Sequence, residues 1–214
     1  ASDFASARLR ELTNGNYLII SPNWNNGAIS NAGAVTWVSG AAGTHGVISA
    51  SNSLVGSSAN DQVGNFSYSL DPVFALPGGD YLIVNVSWSN GTVNDAGAVT
   101  WGNGSTGTVG AVSAANSLVG STTADYVGGR LVTTNRYLPM VTVLPNGNYL
   151  VQSIRWNNGS LNDAGAVTWG GGTFGVSGTI SSTNSLVGTS SGSNPAIDID
   201  NVNDNYIVRF GGTT

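Results

Sequence analysis

The apolar positions of this chain come in short bursts separated by runs of Gly, Asn, Ser, Thr and Asp. Nowhere, except over residues 4 to 11, do they fall in the spacing of an amphipathic helix. Tyr17-Leu18-Ile19-Ile20, Ala34-Val35-Thr36-Trp37 and Asn52-Ser53-Leu54-Val55-Gly56 each read as a short strand bounded by turn residues. Alternation with period two places Val35 and Trp37 on one face of their strand and Ala34 and Thr36 on the other, which assigns Trp37, and Trp101 and Trp169 at the end of the same motif, to the core. The Pro145-Asn146-Gly147-Asn148 segment puts Gly where a tight turn needs positive φ. Val141-Thr142-Val143-Leu144 is therefore expected to pair antiparallel with Tyr149-Leu150-Val151. The fold class that follows is all-β.

The same pattern occurs three times, and a repeat fixes the architecture before any local element does. The six tryptophans form the pairs Trp24/Trp37, Trp88/Trp101 and Trp156/Trp169, each separated by 13 residues, and the pairs step by 64 and then 68. Ala-Gly-Ala-Val-Thr-Trp ends at Trp37, Trp101 and Trp169, and Asn-Ser-Leu-Val-Gly ends at Gly56, Gly120 and Gly188. The extra residues of the longer step lie between Gly120 and Leu144, a loop-tolerant stretch. Residues 1–214 read as one repeat domain of four-stranded units, roughly 1–60, 61–124 and 125–192, with a partial fourth unit over 193–214.

Composition narrows the surface and the partners. Charged residues make up 8% of the chain, against about 25% in an ordinary globular domain. There is no Lys, there are 31 Gly, and the net charge is -5, so the surface is one of hydroxyls and amides. Such a surface has no basic field for nucleic acid or anionic lipid. The absence of cysteine excludes disulfides and thiolate metal sites. No apolar run approaches the roughly 18 residues of a membrane helix, and the N-terminus lacks a signal pattern, so the chain reads as a mature or excised segment of a secreted or cell-surface protein.

Taken from another starting point, each unit runs Asp61-Gln62-Val63-Gly64, an apolar strand, Gly79-Asp80-Tyr81-Leu82-Ile83-Val84, then Asp95-Ala96-Gly97-Ala98-Val99. This order resembles the FG-GAP repeat. Val63-Gly64 and Val127-Gly128 stand for its Phe-Gly, and Ile20-Ser21-Pro22 for its Gly-Ala-Pro. It is also similar to the Gly/Asn/Trp-rich repeats of large bacterial surface, haemagglutinin-like proteins. The resemblance implies a β-propeller blade of four strands and, in many blades, an Asp-rich calcium loop. Here the hairpin turns at Asn14 and Asn146 offer too few carboxylates for calcium. Three and a half units are too few for a propeller of four to eight blades. A second chain, a longer array, or a compact β-prism with pseudo-threefold symmetry would each resolve the count.

Candidate sites follow from the repeat. Trp24, Trp88 and Trp156 sit at strand ends beside amides, with Asn25 and Asn26, Asn90, and Asn157 and Asn158 next to them. An aromatic face flanked by Asn suits a glycan, by stacking and hydrogen bonding, while packing between units is the competing role. Asn31, Asp95 and Asp163 share one position, and the Asp/Asn exchange points to a turn and away from acid–base chemistry. Asp198, Asp200, Asn203 and Asp204 form an oxygen-rich cluster that would be either a calcium site or a solvated loop; Tyr206 and Arg209 stand where a calcium loop needs Gly and a carboxylate. Gly102 to Gly107 and Gly170 to Gly175 fit a dinucleotide pattern, and Gly188 to Gly192 a nucleophile elbow, but none precedes a helix. The single histidine, His45, is expected exposed, with Val109 and Val176 in its place in the other units. Asn65, Asn85, Asn90, Asn103 and Asn158 head glycosylation sequons. The expected function is a non-enzymatic, lectin-like or adhesive module with one weak glycan site per unit. A structural unit of a fibre, matrix or giant surface protein, self-associating through exposed strand edges, is the alternative.

Overall fold

The computed structural model of the chain describes residues 7–65, 71–133, 136–200, 202–203 and 205–211. The first unit contributes β1 (Arg8–Glu11), β2 (Tyr17–Ser21), β3 (Ala34–Val38) and β4 (Ser53–Val55). The second contributes β5 (Val73–Ala75), β6 (Tyr81–Asn85), β7 (Ala98–Gly102), the two-residue β8 (Gly110–Ala111) and β9 (Ser117–Val119). A hairpin of β10 (Gly129–Thr133) and β11 (Arg136–Pro139) falls where the longer repeat step places its extra residues. The third unit is β12 (Val141–Val143), β13 (Tyr149–Ser153), β14 (Ala166–Gly170), β15 (Gly178–Thr179) and β16 (Leu186–Val187), and the hairpin of β17 (Pro195–Asp200) and β18 (Asn205–Phe210) follows it. Residues 8–11 are therefore strand and not helix, residue 7 has no regular structure, and residues 4–6 of the helical expectation lie outside the described residues.

Each unit is an antiparallel meander of four strands, β1-β2-β3-β4, β5-β6-β7-β9 and β12-β13-β14-β16. The expected hairpin forms with Val141 opposite Val151, Thr142 opposite Leu150 and Val143 opposite Tyr149. Alternation sorts the side chains as the sequence implies. Leu18, Ile20, Val35, Trp37 and Leu54 share one face of the first sheet, and Tyr17, Ile19, Ala34, Thr36 and Val55 the other.

The sheets stack in series, front to back. Leu18, Ile20, Val35 and Leu54 from the front of the first sheet share a core with Val73, Tyr81, Ile83 and Ala98 from the back of the second. Leu82, Val84, Val99 and Leu118 from the front of the second meet Tyr149, Val151 and Ala166 from the back of the third. Ile197, Ile199, Tyr206 and Val208 of the β17–β18 hairpin cover Leu150 and Val167 on the front of the third. That hairpin carries the same Tyr-x-(Ile/Val) alternation and occupies the same face as the opening hairpin of a next unit. Two faces of every sheet are thus apolar, which explains strands that read as continuous hydrophobic runs. Among the described residues no strand of the third sheet pairs with the first, so the sheets do not close into the ring of a propeller.

Backbone closeness at the joints explains part of the glycine content. Gly33 forms a parallel bridge with Val63, and a Cβ on Gly97 would overlap the backbone nitrogen of Val127, at a φ of 75°. Gly91 has a similar φ, 63°, but nothing lies within 4 Å of its missing Cβ. Gly91→Ala should cost about 1–2 kcal/mol, the ordinary penalty of a left-handed L-residue. Gly97→Ala should cost clearly more, because the chain of the next unit must also move. Denaturant midpoints of the two variants check this, and equal losses would contradict it.

Candidate functional site

The loop tryptophans do not face solvent. Trp24, Trp88 and Trp156 are 8%, 2% and 5% exposed and belong to the cores between and behind the sheets. Each follows a tight turn off the second strand of its unit, and its carbonyl accepts the N–H of Gly33, Gly97 or Gly165, so the ring folds back under the sheet. The neighbouring amides are engaged as well. Asn26, Asn90 and Asn158 donate from Nδ2 to the carbonyls of Gly56, Gly120 and Gly188 at 3.1, 3.2 and 3.0 Å. Asn25 and Asn157 accept the N–H of Asn31 and Asp163, both at 2.8 Å. In this fold the three indoles present almost no surface on which a sugar could stack, and the neighbouring amides are bonded to the backbone.

The tryptophans assigned to the core divide differently. Trp37 and Trp101 are partly buried and Trp169 is 40% exposed, beside Phe174 at 69% with ring centroids 6.1 Å apart. The strand alternation is right, but the front face that carries these rings is covered by the next unit, and the third unit has only the β17–β18 hairpin in front of it.

The turn residues Asn31, Asp95 and Asp163 have φ of 49°, 53° and 50°. Asn and Asp exchange there because both tolerate the left-handed region. In the oxygen-rich cluster, Asp198 pairs with Arg209 across the hairpin, while Asp200 accepts the N–H of Val202 and the Nδ2 of Asn203. The Asn203 side chain, and then the Val202 N–H, hold the Asp200 carboxyl below its usual range. Asp204 lies outside the described residues. No three His, Cys, Asp or Glu side chains converge among the described residues. His45 is exposed, and the matching φ of Gly46, Gly110 and Gly178 (106°, 104° and 104°) aligns it with Ser177 in place of Val176. Among the sequon residues, Asn85 is 4% exposed inside β6, which leaves no room for a glycan.

A second set of recurring features lies at the joints between units. The Gly110–Ala111 strand β8 of the second unit adds in parallel to β4 of the first, with Leu54 opposite Gly110 and Val55 opposite Ala111. The Gly178–Thr179 strand β15 does the same to β9. Val112 and Ile180 then donate their N–H to the carbonyls of Val55 and Val119 at 3.0 and 3.1 Å and bury their side chains. Asn116 and Asn184 hold the donated segment in shape, each sending Nδ2 to its middle carbonyl at 3.0 Å.

Beside each donated strand, a glycine loop roofs a tryptophan. Trp37 donates from Nε1 to the Gly104 carbonyl and Trp101 to that of Gly172, both at 2.9 Å. Gly107 and Gly175 lie so close over these rings that a Cβ would come within about 2.6 Å of the Trp37 and Trp101 Cβ atoms. The second and third glycines of each dinucleotide-like motif belong to these roofs, while the first, Gly102 or Gly170, ends its strand against Tyr81 or Tyr149.

Asp61 and Asp125 staple the same joints. Asp61 accepts Ser57 and Ser58 N–H on one oxygen and Ser89 N–H, from the next unit, on the other. Asp125 does the same with Ser121, Thr122 and Asn157. Burial pushes the Asp61 carboxyl up from its usual range, while the three N–H donors pull it back. Both Asp61 oxygens accept backbone N–H groups. Their equivalent in the third unit is Ser193. The signal was present as Gly-Ser-(Ser/Thr)-x-x-Asp at Gly56–Asp61 and Gly120–Asp125, but it reads like any polar turn.

Acrylamide quenching separates the tryptophans. Trp169→Phe should remove more of the quenchable fluorescence than Trp88→Phe, and the reverse order would contradict the burial found here.

No curated protein matches the chain. A family model described as a repeat of unknown function (DUF5650) matches it three times, over residues 11–65, 75–129 and 143–195, which together span more than half of its length. Each match begins at the last residue of a meander's first strand and takes in its second, third and fourth strands, so one family repeat falls on one sheet, and the chain belongs to this repeat family.

Proposed function

We propose that this chain is a non-enzymatic structural repeat module of a secreted or cell-surface assembly, whose units serve to extend a stack of sheets. The observation that carries this reading is the identity of the two joints: strand donation, roofed tryptophan and aspartate staple recur residue for residue. The low charge and the likeness to Gly/Asn/Trp-rich surface repeats agree with it. In its FG-GAP-like form the stacked sheets are blades, and further units complete a ring.

Arrays of this kind behave as a sum of unit stabilities and nearest-neighbour terms. Inserting a second copy of residues 65–128 directly after Gly128 keeps the Gly-Asn and Gly-Gly joins of the natural chain. The longer chain should fold with proportionally more strand signal by circular dichroism and an unfolding midpoint no lower than that of the parent. A chain that aggregates or loses its cooperative transition would sink the structural reading.

A second reading, glycan recognition, is favoured by one observation, the exposed Trp169–Phe174 pair, which is the only part of the tryptophan pattern with an open ring face among the described residues. If it holds, a glycan-array signal should vanish in Trp169→Ala and survive in Trp24→Phe.

A further inference from the structure

The third unit keeps the edge strand and the tryptophan of a joint, though not its stapling aspartate, and leaves both open to solvent. In the first two units Leu54 and Leu118 are fully buried and Trp37 and Trp101 are roofed. In the third, Leu186 is 56% exposed, Trp169 is 40% exposed, and among the described residues no strand adds to the free edge of β16. A surface groove lined by Val167, Trp169, Ser185, Leu186 and Tyr206 marks the vacant place.

The first unit carries every donor feature with nothing on it. Gly46-Val47-Ile48 aligns with Gly110-Ala111-Val112 and Gly178-Thr179-Ile180, and Gly46 has the same unusual φ. Asn52 holds the segment in shape through the Val47 carbonyl at 3.0 Å, as Asn116 and Asn184 do at the joints. Val47 is 85% exposed, and nothing lies within 4 Å of where a Cβ on Gly43 would be, whereas Gly107 and Gly175 each lie on an indole. The donor is thus already in its bound shape, which lowers the ordering cost of docking.

We propose, building on the structural reading above, that the free edge of β16 is the docking site of a second copy of this chain: its Gly46–Ile48 adds in parallel to Leu186–Val187, and its Gly40–Gly43 loop roofs Trp169. The register copies the internal joints. Leu186 faces Gly46, Val187 faces Val47, the Ile48 N–H donates to the Val187 carbonyl, and Trp169 Nε1 donates to the Gly40 carbonyl. The contact is heterologous, so it builds a ring or a filament according to whether the rotation closes. Ser193 in place of the stapling aspartate makes this joint weaker than the internal two, so the association is reversible. The β17–β18 hairpin covers the part of the same front face that the incoming β1–β2 hairpin takes, through Tyr206 and Val208 on Val167 and Leu150. It therefore competes with the second copy and must swing aside.

Light scattering of the full-length chain over a concentration series tests this. Val208→Asp, which loosens the hairpin, should associate at lower concentration than the unsubstituted chain. Adding Ile48→Pro removes the donating N–H, which makes no backbone bond among the described residues, and adding Leu186→Lys puts a charge on the accepting edge. Each double variant should keep its strand spectrum and lose affinity by about tenfold or more. Mixed together, the two double variants should form a heterodimer and nothing larger, because one retains the acceptor and the other the donor. A hairpin variant that stays monomeric throughout, or double variants that associate as the Val208→Asp parent does, would overturn the proposal. The chain with an inserted unit tests joints within one molecule, so its outcome stands or falls separately from this one.

Discussion

A two-residue parallel strand, handed from each unit to the one before it, is the interaction on which the rest of this molecule depends. The fourth strand of a unit is short, and a short edge strand is held by one neighbour only unless something covers its outer side. β8 and β15 supply that cover, and in doing so they set the distance and rotation at which the next sheet meets the face of the last. The apolar contacts between sheets then bury the residues that the edge contact has aligned. Without the donated strand, the third copy of the same motif leaves its leucine half exposed.

The composition makes sense in this light. With so few charges and no disulfides, the chain holds its joints with backbone and amide hydrogen bonds, and these require close approach. Glycine stands where two backbones or a backbone and an indole meet, and asparagine stands where a short strand must be held in shape without a partner strand inside its own unit. Among the described residues aspartate is buried only where backbone N–H groups from two units converge on it. The polar residues that look like chemistry in the sequence are, at these positions, the fastenings of the stack.

Much of the fold was legible in the sequence, because period-two alternation and turn chemistry are local. The threefold repeat, the all-β class, the hairpin over Val141–Val151 and the sorting of Val35 from Thr36 all follow from spacing alone. The tryptophans were not legible, since alternation tells which face a side chain occupies and not what covers that face. Trp24 and its equivalents look like loop residues but return under the sheet; Trp169 looks like its buried equivalents but has no next unit in front of it. The donated strand escaped notice for a related reason: two residues of Gly-x are too short to show any period, and their partner is more than fifty residues away. Asp61 was visible as a residue, yet only the fold brings Ser89 to it.

Amide hydrogen exchange measured residue by residue in dilute solution tests the central claim most directly. The Val112 and Ile180 amides, bonded across the joints to Val55 and Val119, should exchange slowly, together with the strands they cover, while the Ile48 amide in the same local conformation should exchange far faster. Equal exchange at the three positions would mean that protection comes from the local turn alone, and that the joints are not what holds the units together.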